Sequence, residues 1–464
     1  MTPGNRGLTP SSDPRPIHFM GIAGAGMSAL AELFQLRGAA ISGCDIAPDG
    51  APDLGRLGVG IAAEHAPAHV EGARALVVTS AIPKDHPEVV RARELGIPVV
   101  RRAEALGEAV RGATVVAVAG THGKTTTTVM TTESLWAAGR SPTALAGGRV
   151  AAWQGNLRRG KDNLFVVEAD EYDRSFLALT PTVAVITNVE ADHLDIYHDL
   201  TDIQHAFEQF LSPASTVITC ADDAGASQLS VPATADRVTY GIADPSARLS
   251  AHEILSVEGR LRFLVRQDGE DIGELALRVP GVHNVKNALA ALASGLALDC
   301  SLEELRGGLE AFEGVERRFQ RLGTVRGVQV VDDYAHHPTE ITATLEAARA
   351  AFPGRRLIAA FQPHLFTRTR DFADQFGRAL APADVVFLTD IYPAREQPLP
   401  GITSALVADA LTRHGNAPRW QGARDALAKA IADVAQAGDV VLTLGAGDIT
   451  RTGTELLQRL GDAS

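Results

Sequence analysis

The chain has 464 residues, enough for two to four domains at about 100–200 residues each. Hydrophobic residues make up 45% and charged residues 21%, a globular balance that excludes wholesale disorder and a fibre. Lys plus Arg is 43 against 56 Asp plus Glu, a formal net charge of −13, which argues against a protein built to coat nucleic acid.

Residues 1–16 have no signal-peptide apolar run and read as a flexible leader. No stretch approaches the roughly 18 consecutive apolar residues of a spanning helix, so a soluble, cytoplasmic protein without membrane insertion is expected. Cys44, Cys220 and Cys300 lie far apart with no CxxC. That spacing rules out a disulfide scaffold or a structural zinc cluster and fits a reducing compartment.

Short apolar runs alternate with helical patterns almost throughout, predicting parallel α/β domains. The first unit opens with a strand over Pro16–Met20, a glycine turn and a helix over Ser28–Arg37, then strands near Ala40–Cys44, Ala73–Ile82 and Ile97–Arg102. The turn Gly24-Ala25-Gly26-Met27-Ser28-Ala29 fits G-x-G-x-x-A, with Asp45 ending the next strand. By spacing this is a dinucleotide fingerprint. The chemistry it recognises is a pyrophosphate at a helix N-terminus, which NAD and a nucleotide-diphosphate sugar both carry.

The second unit starts at ATVVAVAG (Ala113–Gly120), followed by AGTHGKTTTT (Ala119–Thr128) and a helical pattern ending near Gly139. A strand, a glycine turn and Lys-Thr at a helix start make an anion cradle: amides and Lys124 face phosphates, and Thr125 reaches Mg²⁺. The usual phosphate-loop pattern has glycine where this chain has Val118. Two acidic strand ends follow, Glu168 and Asp170 in VVEADEYD, then Asn188, Glu190, Asp192 and His193 in ITNVEADH. In a parallel sheet such ends line the ligand crevice, where carboxylates hold a nucleotide's magnesium. Residues 247–279 alternate around Glu258-Gly259 and Asp268-Gly269, predicting antiparallel hairpins.

Gly314–Gly323 reads as a charged connector. In the third unit DDYAHHPTE (Asp332–Glu340) and FQPHLFTRTRDF (Phe361–Phe372) each follow an apolar strand. Arg368 and Arg370 with His364 suit a carboxylate or phosphate there.

GIAGAGMSALAELF, GTHGKTTTT, EADEYDRSFL, TNVEADHLDIY, GVHNVKNALAA, ERRF, VVDDYAHHPTEI and FQPHLFTRTRDF occur in this order across nearly the whole chain. Together they resemble the Mur ligase family, in its branch that joins L-alanine to UDP-N-acetylmuramate. The resemblance implies three α/β domains: a Rossmann-like UDP-sugar domain (17–110), a central P-loop ATPase-like domain (111–320) and a Rossmann-like amino-acid domain (321–464). It implies ATP and Mg²⁺ as cofactors, UDP-N-acetylmuramate and L-alanine as substrates, and a monomer or weak homodimer.

Carried over by motif, Gly120, Thr121, His122, Gly123, Lys124, Thr125 and Thr126 bind ATP phosphates. Thr125, Glu168 and His193 stand at magnesium, and Asn284 and Asn287 fall where the family contacts adenine. Arg318 resembles the connector arginine that reaches the phosphates on domain closure, and Asp333 the aspartate opening the last domain. Gly24, Ala25, Gly26, Met27, Ser28, Asp45 and Ser80 go to the sugar nucleotide; Tyr334, His336, His364 and Arg368 go to L-alanine. Relatives often read FQPHRYTRT, whereas this chain has Leu365 and Phe366. Leu365 cannot pair with a carboxylate, which shifts amino-acid recognition toward Arg368. The competing readings are a sister ligase of the family and an NAD-dependent oxidoreductase; Lys124 counts against the latter.

Overall fold

The computed structural model describes residues 8, 13–194, 196–257 and 259–462. Most of the expected leader therefore lies outside the described residues, as does Glu258 of the first hairpin turn. The chain divides into two compact units, Met1–Ile254 with Phe263–Leu275 and Lys286–Phe312, and Leu255–Arg262 with Ala276–Val285 and Glu313–Ser464.

The first unit carries two sheets. One is built from β1 (Ile17–Met20), β2 (Ile41–Cys44), β3 (Ile61–Ala62), β4 (Ala75–Val78) and β5 (Val99–Arg101) in the order β3-β2-β1-β4-β5. All its pairings are parallel. The order reverses at β1 and β4, which places a crevice between the Gly21–Gly24 turn and Thr79-Ser80. A Cβ on Gly21 (φ +76) would lie 3.1 Å from the Thr79 Cγ2. The following helix, Ala25–Leu36, starts three residues before the predicted Ser28, because the glycine turn closes earlier than apolar spacing indicates.

The other sheet contains β6 (Thr114–Ala119), β7 (Pro142–Val150), β8 (Gly155–Arg158), β9 (Lys161–Glu168), β10 (Val183–Ile186), β11 (Thr216–Cys220), β12 (Asp236–Gly241), β13 (Leu249–Val257), β14 (Arg260–Gln267) and β15 (Glu270–Leu277). Their order is β15-β14-β13-β12-β11-β10-β6-β9-β7-β8. β6 lies between parallel neighbours β9 and β10, so the loop that leaves it opens at a switch point. Its TVVAVA sequence is rich in β-branched residues and buried from Val115 to Ala119, as expected of a strand covered on both faces. Asp268 and Gly269 both have positive φ, +50 and +90, the geometry of a two-residue hairpin turn. One apolar core runs through this unit, including Phe34, Val115, Phe165 and Phe207.

The second unit is built on β16 (Gln320–Val325), β17 (Val328–Asp333), β18 (Leu357–Phe361), β19 (Val385–Thr389), β20 (Trp420–Gly422) and β21 (Val440–Leu444), in the order β16-β17-β21-β18-β19-β20. Only β16 runs antiparallel. The last four residues of the predicted connector are thus a strand: Gln320–Gly323 pair with β17, which satisfies backbone groups there. Apolar layers cover both faces, one with Phe361 and Phe376, the other with Phe387 and Leu456.

Candidate functional site

The sequence Gly120-Thr-His-Gly123 turns from β6 into the helix Lys124–Ala137. Val118, where the usual loop has glycine, is a buried strand residue, so the turn begins two residues later. Gly120 has φ +134, and a Cβ there would sit 2.1 Å from Thr187 Oγ1. Gly123 caps the helix at φ +81 with no side-chain cap bond, leaving the first-turn amides for a ligand. The residues after β10 pin the turn: Asn188 accepts from Thr121 N at 3.1 Å through its carbonyl and from His122 N at 2.8 Å through Oδ1. Thr187 Oγ1 donates to His122 O at 2.5 Å, and Glu190 N donates to Thr121 Oγ1 at 2.9 Å. The cradle is therefore preformed.

Lys124 Nζ donates to Gly120 O at 2.7 Å and to both Glu171 oxygens at 2.8 and 3.0 Å. Burial disfavours the ammonium, but Glu171, with Asp170 and Glu168, outweighs it and holds Lys124 protonated. The same burial pushes the Glu171 carboxyl up to about 7 against the pull of Lys124. Sequence reasoning singled out Glu168 and Asp170 and passed over Glu171, although EADE places it in the same strand-end cluster. His193 (φ +53) stands with Nε2 3.7 Å from Glu171 Oε1, its ring edge-on to Tyr172 at 5.1 Å. Glu168 accepts from Gly147 N at 2.7 Å, and Thr125 is buried in the first helical turn. Thr127 Oγ1 donates to Asn287 Oδ1 at 3.2 Å, which brings Asn287 to the loop. Asn284 belongs to the second unit and donates to Pro280 O at 2.7 Å.

In the first sheet Asp45 holds the glycine turn itself, accepting from Ala23 N and Ala47 N, each at 2.9 Å. Gly24 and Ala25 are exposed, Gly26 is half-buried and Met27 packs in the core. Ser28 Oγ turns back to Ala25 O at 3.1 Å, and Ser80 is exposed across the switch point. Arg102, which motif reading missed, connects this turn to the second sheet: its Nη1 lies 3.0 Å from where a Gly26 Cβ would be, and its Nη2 lies 3.9 Å from Asp170. Its place at the carboxyl end of β5 was the available signal.

In the second unit Asp333 accepts from Phe319 N and Ala335 N, each at 2.8 Å. Burial lifts its carboxyl to about 6, with Arg318 and these amides pulling the other way. Arg317 and Arg318 stand 4.8 and 5.0 Å from the Tyr334 ring centre, and Arg318 meets Glu340 at 3.3 Å. The ring of His336 lies 5.2 Å from Tyr334 and 5.9 Å from His364. Arg368, 6% exposed, reaches His364 Nδ1 at 3.5 Å. The four residues read as amino-acid contacts are thereby one chain of neighbours. Asp371 is held by Arg370 at 2.6 Å. Leu365 is buried at φ +69, and Glu396 accepts from Phe366 N and Thr367 N at the start of the next helix. No helix among the described residues is long and apolar enough to cross a membrane.

Comparison with known proteins matches three family descriptions in series: "Mur ligase family, catalytic domain" over 16–114, "Mur ligase middle domain" over 118–295 and "Mur ligase, glutamate ligase domain" over 317–447. The chain is 42% identical over 453 residues to the UDP-N-acetylmuramate–L-alanine ligase of Geotalea daltonii, covering 96% of this chain and 98% of that one. It is 44% identical to the enzyme of the same name from Streptomyces coelicolor, covering 97% and 98%. The crystal structure of UDP-N-acetylmuramate-alanine ligase from Thermotoga maritima superposes with a TM-score of 0.84 at 31% identity, covering 97% of this chain and 100% of that one. A murein peptide ligase from Psychrobacter arcticus gives 0.73 at 26%, covering 97% and 99%. On three serial domain matches and full-length likeness, the chain belongs to the Mur ligase family.

Proposed function

We propose that this protein is an ATP-dependent carbon–nitrogen ligase joining L-alanine to the carboxylate of UDP-N-acetylmuramate, as its relatives' names state for them. The products are UDP-N-acetylmuramoyl-L-alanine, ADP and phosphate, a peptidoglycan precursor step. The observation that carries this reading is the pinned Gly120–Gly123 turn with Lys124 beside three strand-end carboxylates.

A carboxylate resists amine attack because its leaving group would be oxide. Transfer of the γ-phosphoryl group to the sugar acid makes an acyl phosphate and releases ADP. The amine of L-alanine then attacks the acyl carbon, and phosphate leaves as the amide forms. Phosphoryl transfer needs positioning and charge more than covalent help. The amides at the start of Lys124–Ala137 and the Lys124 ammonium receive the phosphates, and Lys124 offsets repulsion between the two anions. The donor set fits a magnesium ion: the Thr125 hydroxyl, the Glu168 carboxylate and the His193 imidazole would hold it, two of them oxygen donors. When bound, Mg²⁺ supplies charge neutralisation at the phosphates.

For the sugar nucleotide, the Gly24–Gly26 turn and Ser80 receive the diphosphate, with Asp45 keeping the turn in place. For the amino acid, Arg368 is the carboxylate anchor, flanked by Tyr334, His336 and His364. A cytoplasmic location goes with this function. Phosphate release from ATP decides it, measured with each UDP-sugar acid and amino acid in turn. Release that requires UDP-N-acetylmuramate and L-alanine together supports the assignment; release with a peptide in place of L-alanine moves the chain to a sister ligase, and binding of NAD(H) at the first turn overturns the sugar-nucleotide reading.

A further inference from the structure

Away from the nucleotide loop, the first sheet gathers His18 of β1, Cys44 at the end of β2, His69 of the turn Pro67–Val70, and Glu88 of the helix Pro87–Glu94. One ligand atom from each lies within 4.8 Å of all the others. Glu88 is fully buried, yet the partners of its carboxylate are the Cys44 thiol at 3.4 Å, the Ala66 amide at 2.7 Å and His69 Nδ1 at 3.1 Å. Its ion-pair partner among the described residues is His69, which is charged only when protonated, and a buried carboxylate that keeps its charge is paired or holds a metal. His18 is 2% exposed; Ser42 Oγ occupies its Nδ1 at 2.9 Å, and its Nε2 is buried with no hydrogen-bond partner.

We propose that His18, Cys44, His69 and Glu88 form a binding site for one zinc-class divalent cation. One thiolate and one carboxylate match the ion's charge, and two imidazoles complete a four-coordinate sulfur, nitrogen and oxygen set. Zinc bonds of about 2.0–2.3 Å imply ligand–ligand separations of about 3.3–3.8 Å in a tetrahedron; Glu88 Oε1 stands 3.1 Å from His69 Nδ1 and 3.5 Å from Cys44 Sγ, and the other pairs, within 4.8 Å, would draw in on binding. One thiolate with two imidazoles suits zinc rather than magnesium, which takes mostly oxygen donors. His65 Nδ1 stands 3.0 Å from Cys44 Sγ as an outer partner, the arrangement that tunes a metal thiolate. His69, half-buried, gives the ion a way in. The cysteine spacing alone pointed away from zinc; the fold supplies the remaining ligands from three other elements. Cys44 O also accepts from Gly21 N at 2.8 Å and Ile22 N at 3.2 Å, so the ion would brace the glycine turn from behind.

Titration of the reduced full-length protein with Co²⁺, then Zn²⁺, tests this. We expect one equivalent of Co²⁺ with a thiolate-to-cobalt charge-transfer band that Zn²⁺ displaces. Cys44→Ser should abolish the band, and His69→Gln, which removes a ligand, should weaken Zn²⁺ binding by at least about tenfold, the lower end of what loss of an outer partner costs, while keeping the band. Absence of the band in the wild type overturns the proposal, as does a band that persists in Cys44→Ser, which would assign it to Cys220 or Cys300. Should Cys44→Ser fail to fold, the wild-type stoichiometry and the His69→Gln affinity decide: unchanged affinity in that variant overturns the site.

Discussion

Lys124 Nζ and Glu171 Oε2 are 2.8 Å apart, and both side chains are nearly shut off from solvent. The lysine that faces the phosphates is therefore already neutralised by a carboxylate of its own sheet edge. A triphosphate entering the cradle must share that ammonium with Glu171 or replace it.

Glu171→Gln leaves the buried ammonium without its main counter-charge, and breaking such a pair costs about 3–5 kcal/mol. ATP restores negative charge at the same place. Differential scanning fluorimetry should show a lower Tm for the variant and a larger upward shift with ATP than in the wild type. Equal ATP shifts would separate Glu171 from the nucleotide. Lys124→Ala should keep the fold and cut ligation by about 10²–10⁴-fold; near-normal turnover removes the phosphate role.

At the first turn, Gly26→Val would press a branched side chain toward Arg102, whose Nη1 lies 3.0 Å from the added Cβ, and would obstruct backbone approach to a pyrophosphate. The KM for UDP-N-acetylmuramate should rise much more than the KM for ATP. Equal effects on the two, in steady-state kinetics with each varied in turn, would contradict the assignment of this turn to the sugar nucleotide.

Asp333 supplies a pH signature. Its carboxyl is raised from 3.8 to about 6 in the folded chain, chiefly by burial. A raised acid favours folding in its protonated form, so its stabilising contribution is full below about pH 4 and is lost as pH climbs through about 6. Urea unfolding across this window should show the wild type losing stability relative to Asp333→Asn as pH rises. A difference that is constant with pH would disprove the linkage.

Arg368 is buried beside His364, while its neighbour Arg370 holds Asp371. Lysine cannot reproduce a two-pronged grip on a carboxylate. Arg368→Lys should raise the L-alanine KM about tenfold to a hundredfold, equivalent to roughly 1.5–3 kcal/mol, and leave the ATP KM nearly unchanged. An unaltered L-alanine KM takes this residue out of the site. Leu365 is buried and its backbone is left-handed, so Leu365→Arg should destabilise the chain, and a lower L-alanine KM is expected only if that variant folds.

Local pattern sufficed for the strands that lead into the site loops and for which loops carry chemistry. TVVAVA before GTHGK, and carboxylates after FVV and VAVIT, declare a parallel sheet with its ligand edge, because strand period and glycine turns are short-range properties. Tertiary structure decided what each of those polar groups holds. Asp45 completes the fingerprint by spacing, and the fold shows it gripping the turn amides. Gln320–Gly323 resemble a charged connector and become an edge strand, because β17 offers an open row of backbone groups. Glu171 gains its place beside Lys124 only when β6 and β9 pair, and Arg102 its place beside Gly26 only when β1 and β5 share the first sheet. His18, Cys44, His69 and Glu88, spread over 71 positions from first to last, have no shared spacing to read. Side-chain partners across a sheet depend on strand order, a long-range property that no window of sequence contains.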